Sequence, residues 1–182
     1  MTLRAVLFLD VDGTLLPFTD RPGTPPAPAA RDNPLLHRLD PADGPRLAAL
    51  RCDLVWATTW MAEANDVIAP RLGLPPLPVV DWSDADPPPG GVHWKTPDLV
   101  AWAGARPFAW LDDEITDADR EWVGGHHPGP ALLHRVDPRT GLTSADLTTV
   151  ERWLGGPAGP YARSPSISPD LATSTGGPHD DP

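Results

Sequence analysis

Residues 5–14 read Ala-Val-Leu-Phe-Leu-Asp-Val-Asp-Gly-Thr, an apolar run that ends in two carboxylates and a turn sequence. Five consecutive apolar residues are typical of a strand that is buried on both faces of a parallel sheet. Asp12 and Gly13 are also common turn formers, so a simple turn is the competing interpretation. The stretch predicts a buried strand over residues 5–9, with Asp10 and Asp12 directly after its carboxyl end.

Short apolar runs and helix-like segments alternate along the chain on the carboxyl side of this stretch. Such alternation predicts a Rossmann-like α/β fold, in which helices flank a parallel five-stranded sheet. Active sites of these sheets lie at the carboxyl ends of the strands. The other predicted strands are residues 53–57, 77–80, 108–111 and 131–134, and the predicted helices are residues 46–50, 61–69, 96–103, 116–123 and 144–154.

The length of 182 residues suits one domain with a sizeable core. We expect that core to occupy residues 1–155. Residues 156–182 are rich in Gly, Pro, Ser and Thr and offer few side chains that pack, so they predict a disordered tail.

The formal net charge is −11, and an acidic surface repels nucleic-acid phosphates, so we expect no strong general affinity for nucleic acid. No apolar run approaches the roughly 20 residues that span a bilayer, so we expect a cytoplasmic protein without membrane contact. The basic residues are 13 arginines and a single lysine, Lys95. Because lysine and arginine differ in shape and hydration, this lysine indicates a site that needs a compact point charge.

Polar residues follow the predicted strands at the points where parallel strands bring their ends together. Several carboxylates at one edge repel each other, by roughly 4 kcal/mol for a pair about 4 Å apart at an effective dielectric near 20. A magnesium ion and an ammonium group would offset this repulsion, and such a site suits phosphoryl transfer. The residues concerned are Asp10, Asp12, Thr58, Thr59, Lys95, Asp112, Asp113 and Asp117.

Each of these residues also has a structural interpretation when it is taken alone. A threonine at a strand end, such as Thr58 or its neighbour Thr59, usually serves the fold. A lysine at a helix end is usually solvated. Asp112 suits a helix cap, and Asp117 suits the first turn of a helix, where acidic side chains are favoured.

Taken together, these residues resemble the four ordered motifs of the haloacid dehalogenase (HAD) superfamily of phosphatases. The motifs are, in chain order, residues 10–14, Thr58, Lys95 and residues 112–117. The resemblance covers residues 3–154, and it implies a role for each catalytic side chain. Asp10 would be the nucleophile that forms a phospho-enzyme, and Asp12 would protonate the leaving group and then activate water. Thr58 would donate a hydrogen bond to the phosphoryl group, and Lys95 would hold the nucleophile and the phosphate.

The same resemblance implies a Mg²⁺ site and a set of supporting residues. Asp113 would be a ligand, together with Asp10 and the backbone carbonyl of Asp12. Asp112 and Asp117 would supply a further ligand or support the ligands from outside. The supporting residues are Gly13, Thr14, Thr59 and Asp117.

Three stretches resemble a narrower group, the HAD domain associated with Swiss Army knife RNA-repair proteins. They are residues 56–60 (Trp-Ala-Thr-Thr-Trp), 92–95 (Val-His-Trp-Lys) and 110–114 (Trp-Leu-Asp-Asp-Glu). This resemblance implies a phosphorylated substrate such as a polynucleotide end. Trp60 would then be placed to stack on a base or sugar, and His93 would either contact the substrate or support the fold.

Many HAD relatives carry a cap domain between the first and second motifs or between the second and third. Residues 14–53 and 59–95 are taken up by predicted loops, helices and one short strand, so we expect no full cap domain and an open site. Two alternatives stay open at this point. One is a phosphatase of small metabolites such as nucleotides or sugar phosphates, and the other is a phosphate-binding regulatory domain without turnover.

Overall fold

Four parallel strands form the sheet at the centre of this computed structural model, which describes residues 3–20, 33–156 and 160. β1 lies inside the sheet between β2 and β3, and β4 pairs with the other edge of β3, so the order is β2-β1-β3-β4. The strands are β1 (Val6–Leu9), β2 (Asp53–Trp56), β3 (Phe108–Asp112) and β4 (Ala131–Arg135).

Helices connect the strands and cover both faces of the sheet. A 3₁₀-helix and five α-helices lie in the described part of the chain. They are the 3₁₀-helix (Pro34–Arg38), α1 (Asp43–Ala48), α2 (Glu63–Leu72), α3 (Thr96–Ala103), α4 (Asp117–His126) and α5 (Ser144–Gly155).

The side chains of β1 alternate between two hydrophobic clusters. Leu7 and Leu9 belong to the cluster that contains the buried residues of α1, α2 and α5. Val6 and Phe8 belong to the cluster that contains those of α3 and α4. Because each face of β1 is covered in this way, its sequence is apolar throughout, as predicted.

The sheet has four strands rather than the five predicted, and the predicted strand over residues 77–80 was wrong. This segment pairs with the sheet only through an isolated bridge between Trp56 and Val79. It contains Pro78, which lacks the N–H group that a regular ladder needs. Asn65 of α2 instead holds Leu77, accepting from its backbone N–H and donating to its carbonyl, each at 2.8 Å.

The predicted helices exist; α3 has the predicted bounds, and the other four are shifted at one or both ends. α2 continues through Pro70 and ends at Leu72, followed by the cap residue Gly73, whose φ of 67° is left-handed. α4 begins at Asp117 because Thr116 and Asp119 form a capping box before it.

The two intervals in which a cap domain could be inserted contain only short elements among the described residues. Between Thr14 and Asp53 the described residues form the 3₁₀-helix and α1, and between Thr59 and Lys95 they form α2 and an extended segment. Residues 21–32 and almost all of the predicted tail, 157–159 and 161–182, lie outside the described residues. None of the described helices is long and apolar enough to cross a membrane.

Candidate active site

Lys95 joins two buried carboxylates at the carboxyl edge of the sheet. Its Nζ donates to Oδ1 of Asp10 at 2.7 Å and to Oδ2 of Asp112 at 2.8 Å. Asp10 follows β1 and Asp112 ends β3, and these neighbouring strands bring the two residues to the same height. All three residues are at most 4% exposed, so the charges interact largely away from water. The structure thus brings together residues that lie 85 and 17 positions apart in the chain.

Asp113 completes an acidic cluster with these two carboxylates. Asp10, Asp112 and Asp113 each offer a carboxylate oxygen, and the three atoms lie within 4.8 Å of one another. Oδ1 of Asp112 also accepts from the backbone N–H of Glu114 at 2.9 Å within the turn after β3. The helix-cap interpretation of Asp112 was wrong, because Thr116 caps α4. The Asp112 carboxylate therefore serves both the turn after β3 and the cluster.

Burial makes the ionisation of Asp10 and Asp113 unfavourable. Burial raises the pKa of Asp10 to about 8. Attraction to Lys95 opposes this increase, and repulsion from Asp112 adds to it. Burial also raises the pKa of Asp113 to about 6, again with repulsion from Asp112. Burial alone would lower the pKa of Lys95, but the two carboxylates raise it above its usual value, so the ammonium stays charged.

The donor set fits a hard divalent cation. Three clustered carboxylates and one ammonium leave a net negative charge in a buried place, and Mg²⁺ prefers oxygen ligands of this type. Asp10, Asp112 and Asp113 would hold the ion. Gly13 allows the loop after β1 to lie against this cluster, since a Cβ at its position would be 2.6 Å from both carboxylate oxygens of Asp113. Its φ of +78° is a second reason for glycine here.

Asp12 points away from the cluster towards solvent. It is exposed, and its Oδ2 accepts a hydrogen bond of 2.9 Å from the indole Nε1 of Trp60. The structure therefore separates the two carboxylates that follow β1: Asp10 contacts Lys95, whereas Asp12 lies on the exposed side. The metal contact predicted for the Asp12 backbone carbonyl stays a prediction.

Thr58 and Thr59 occupy different environments after β2. Thr58 is fully buried, its Oγ1 accepts from the backbone N–H of Trp60 at 3.3 Å, and its carbonyl accepts from Trp82 Nε1 at 3.2 Å. Thr59 is exposed. Thr58 is thus the threonine fixed at the strand end, while Thr59 lines a neighbouring cleft.

Other predicted residues lie around the cluster or outside it. Thr14 is buried and ties the first loop to the segment before α5, since its carbonyl accepts from Leu142 N at 2.7 Å. Nε2 of His93 lies 3.0 Å from Oε2 of Glu114. Its Nδ1 accepts a hydrogen bond of 3.2 Å from the backbone N–H of Lys95. These contacts give His93 a role in positioning the lysine.

Asp117 lies outside the site and does not support the cluster as the sequence had suggested. Its side chain is fully exposed, and its carboxylate pairs with Arg120 at 2.9 Å on the surface of α4. It is the first residue of α4, which agrees with the structural interpretation of Asp117 as a first-turn residue.

Asp119 holds the lysine-bearing segment, a role that sequence reasoning missed. Its Oδ1 accepts from the His93 backbone N–H at 2.7 Å and from Thr96 Oγ1 at 2.6 Å. Its Oδ2 accepts from the backbone and hydroxyl of Thr116. Although burial opposes ionisation, these hydrogen bonds hold the pKa of Asp119 below its usual value. The Thr-x-x-Asp pattern at residues 116–119 is typical of a capping box, and it could have drawn attention to Asp119.

The fold and the site define a class of protein: an α/β domain that gathers three carboxylates and a lysine at the carboxyl edge of a parallel sheet. Residues 6–147 match the family described as the HAD domain in Swiss Army Knife RNA repair proteins, and the chain belongs to this family. This confirms the resemblance seen in the sequence, and the family indicates phosphohydrolase activity. Comparison with curated proteins and with solved structures found no match.

Magnesium affinity should rise with pH. Protons compete with the cation for carboxylates whose pKa values are raised to about 8 for Asp10 and about 6 for Asp113, so deprotonation on going from pH 6 to pH 8 favours binding. Isothermal titration calorimetry should give an affinity that increases about tenfold or more over this range. An affinity independent of pH would contradict the assignment of these carboxylates as ligands.

Asp119→Asn should weaken both the fold and the site, whereas Asp117→Asn should change neither. The amide at position 119 loses half of its acceptors and faces donors that stay buried, which costs about 1–3 kcal/mol. Urea unfolding and phosphate release would be measured on both variants. Equal effects of the two substitutions, which lie on the same helix, would refute the anchoring role of Asp119.

Proposed function

We propose that the protein is a Mg²⁺-dependent phosphohydrolase that works through an aspartyl-phosphate on Asp10. The observation that carries this proposal is the contact between Lys95 Nζ and Asp10 Oδ1, at the carboxyl end of an inner strand. The lysine fixes one carboxylate oxygen and leaves Oδ2 as the candidate nucleophile. The charge of Lys95 also favours the carboxylate form, which is the form that attacks.

The first half of the reaction transfers the phosphoryl group to the protein. An Asp10 carboxylate oxygen forms a bond to phosphorus, and the bond between phosphorus and the substrate oxygen breaks. Asp12 gives its proton to that departing oxygen, so the alcohol leaves neutral. The exposed position of Asp12 supports this role, because the leaving group of a large substrate remains on the solvent side.

The second half restores the enzyme. The Asp12 carboxylate takes a proton from water, whose oxygen forms a bond to phosphorus while the bond from Asp10 to phosphorus breaks. Phosphate leaves, Asp10 is again a carboxylate, and Asp12 again carries its proton. The two aspartates need different surroundings for these roles, and the structure provides a buried one and an exposed one.

Positive charge and hydrogen bonds would stabilise the phosphoryl oxygens during both steps. Lys95 supplies one charge, and Thr58 lies at the adjacent strand end with its hydroxyl facing Trp60 N. A Mg²⁺ ion held by Asp10, Asp112 and Asp113 would supply the charge that offsets three carboxylates and the phosphoryl group.

A bulky phosphorylated substrate, such as a polynucleotide end, agrees best with these observations. The family is described by its occurrence in RNA repair proteins. Asp12 is exposed, so the leaving-group side is open to a large molecule. The net charge of −11 opposes binding along a nucleic-acid backbone, so recognition would concentrate on the end itself.

Asp10→Asn should abolish phosphate release. An amide is a poor nucleophile, so the rate with an aryl phosphate and Mg²⁺ should fall at least about a thousandfold. Asp66→Asn, an exposed aspartate on α2, is the matched control and should retain the parent rate. Release that persists in folded Asp10→Asn protein would contradict the proposal. Oligonucleotides with 5′- or 3′-phosphates, compared with free nucleotides, would then identify the substrate class.

A further inference from the structure

A cleft of about 700 Å³ opens between the 3₁₀-helix and α2, next to the residues that follow β2. This volume is in the range of small-molecule binding sites. Its lining combines an indole ring and two aliphatic side chains with polar and charged groups. The lining residues are Asn33, Leu36, Thr59, Trp60, Glu63, Val67 and Arg71.

The cleft follows one face of α2. Glu63, Val67 and Arg71 are four residues apart from one to the next, so they lie along one side of the helix. Eight residues of α-helix span about 12 Å, which gives the length of this wall. Arg71 is fixed at one end by donation from its guanidinium to the Val67 carbonyl at 2.6 Å.

Trp60 connects the cleft with the reacting groups. Its side chain lines the cleft, while its Nε1 donates to Asp12 Oδ2 at 2.9 Å. Its backbone N–H also donates to Thr58 Oγ1. A group that lies against the Trp60 ring is therefore next to the carboxylate that would protonate the leaving oxygen. Donation to Oδ2 leaves Oδ1 of Asp12 as the atom that carries the catalytic proton.

We propose that this cleft is the leaving-group subsite of the enzyme and binds an alcohol that carries a planar ring with polar edges, such as a nucleoside. The proposal rests on the phosphohydrolase function proposed above. Stacking on Trp60 and contact with Leu36 and Val67 suit a planar ring, and Asn33, Thr59 and Glu63 offer hydrogen-bonding groups for its edges. Trp60 is then a positioning residue for Asp12.

Glu63→Trp tests the subsite by filling the cleft from an exposed position. Its matched control is Asp66→Trp, which removes the same charge from the same helix but does not line the cleft. Phosphate release would be measured with magnesium on 2-naphthyl phosphate, adenosine 3′-phosphate and glycerol phosphate. Glu63→Trp should raise KM for the two ring-bearing substrates about tenfold or more above any change in KM for glycerol phosphate. Asp66→Trp should leave all three unchanged.

Trp60→Phe tests the link to Asp12, because it retains a ring and removes the N–H donor. It should lower kcat more for glycerol phosphate, whose leaving alkoxide needs a proton, than for 2-naphthyl phosphate, whose leaving group is a better one. KM for the ring-bearing substrates should change little. An equal fall in kcat for both substrates would show a general structural effect and overturn the positioning role.

The outcomes separate this proposal from the function on which it rests. If the parent releases no phosphate from any substrate, or if Asp10→Asn remains active, the phosphohydrolase proposal fails and the subsite fails with it. If the parent is active and Asp10→Asn is not, but Glu63→Trp treats all three substrates alike, the subsite alone is refuted. Thermal melts check folding, and Val67→Phe fills the same cleft if Glu63→Trp does not fold.

Discussion

The buried contact of Lys95 with Asp10 and Asp112 is the interaction on which the rest of the site depends. Two neighbouring parallel strands bring these carboxylates to one edge, where burial makes their charges costly. The ammonium offsets part of that cost, and the third carboxylate, Asp113, adds negative charge that the single ammonium does not balance. The same ammonium therefore has two roles. It stabilises the buried carboxylates of the fold, and in the proposed reaction it would stabilise the charge of the phosphoryl group.

The surrounding elements hold this charge cluster in place and separate its buried side from its exposed side. Asp119 ties the segment around His93 and Lys95 to the start of α4, and Gly13 lets the first loop approach Asp113. On the open side, Trp60 joins Asp12 to the cleft along α2. The buried half of the site thus holds the charges, whereas the exposed half is the side that we propose faces the leaving group of the substrate.

The parallel sheet and the gathering of polar residues at its carboxyl edge could be predicted from the sequence, because a parallel sheet places the carboxyl ends of its strands together. The predicted strand over residues 77–80 was wrong because Pro78 lacks the N–H group that a regular ladder needs, and the side chain of Asn65 holds the backbone of Leu77 instead. The roles of Asp117 and Asp119 depend on where α4 begins, which Thr116 decides. The cleft depends on packing between distant segments, and no local pattern encodes it.

The central claim is that Asp10 carries the phosphoryl group, and trapping that group is the most direct measurement. Protein mixed with a phosphorylated substrate and Mg²⁺ would be quenched in acid within one turnover, digested and analysed by mass spectrometry. The account predicts a phosphorylated peptide that contains residues 5–14, with the group on Asp10. Phosphate on a different residue, or phosphate release without any phosphorylated peptide on that timescale, would contradict it.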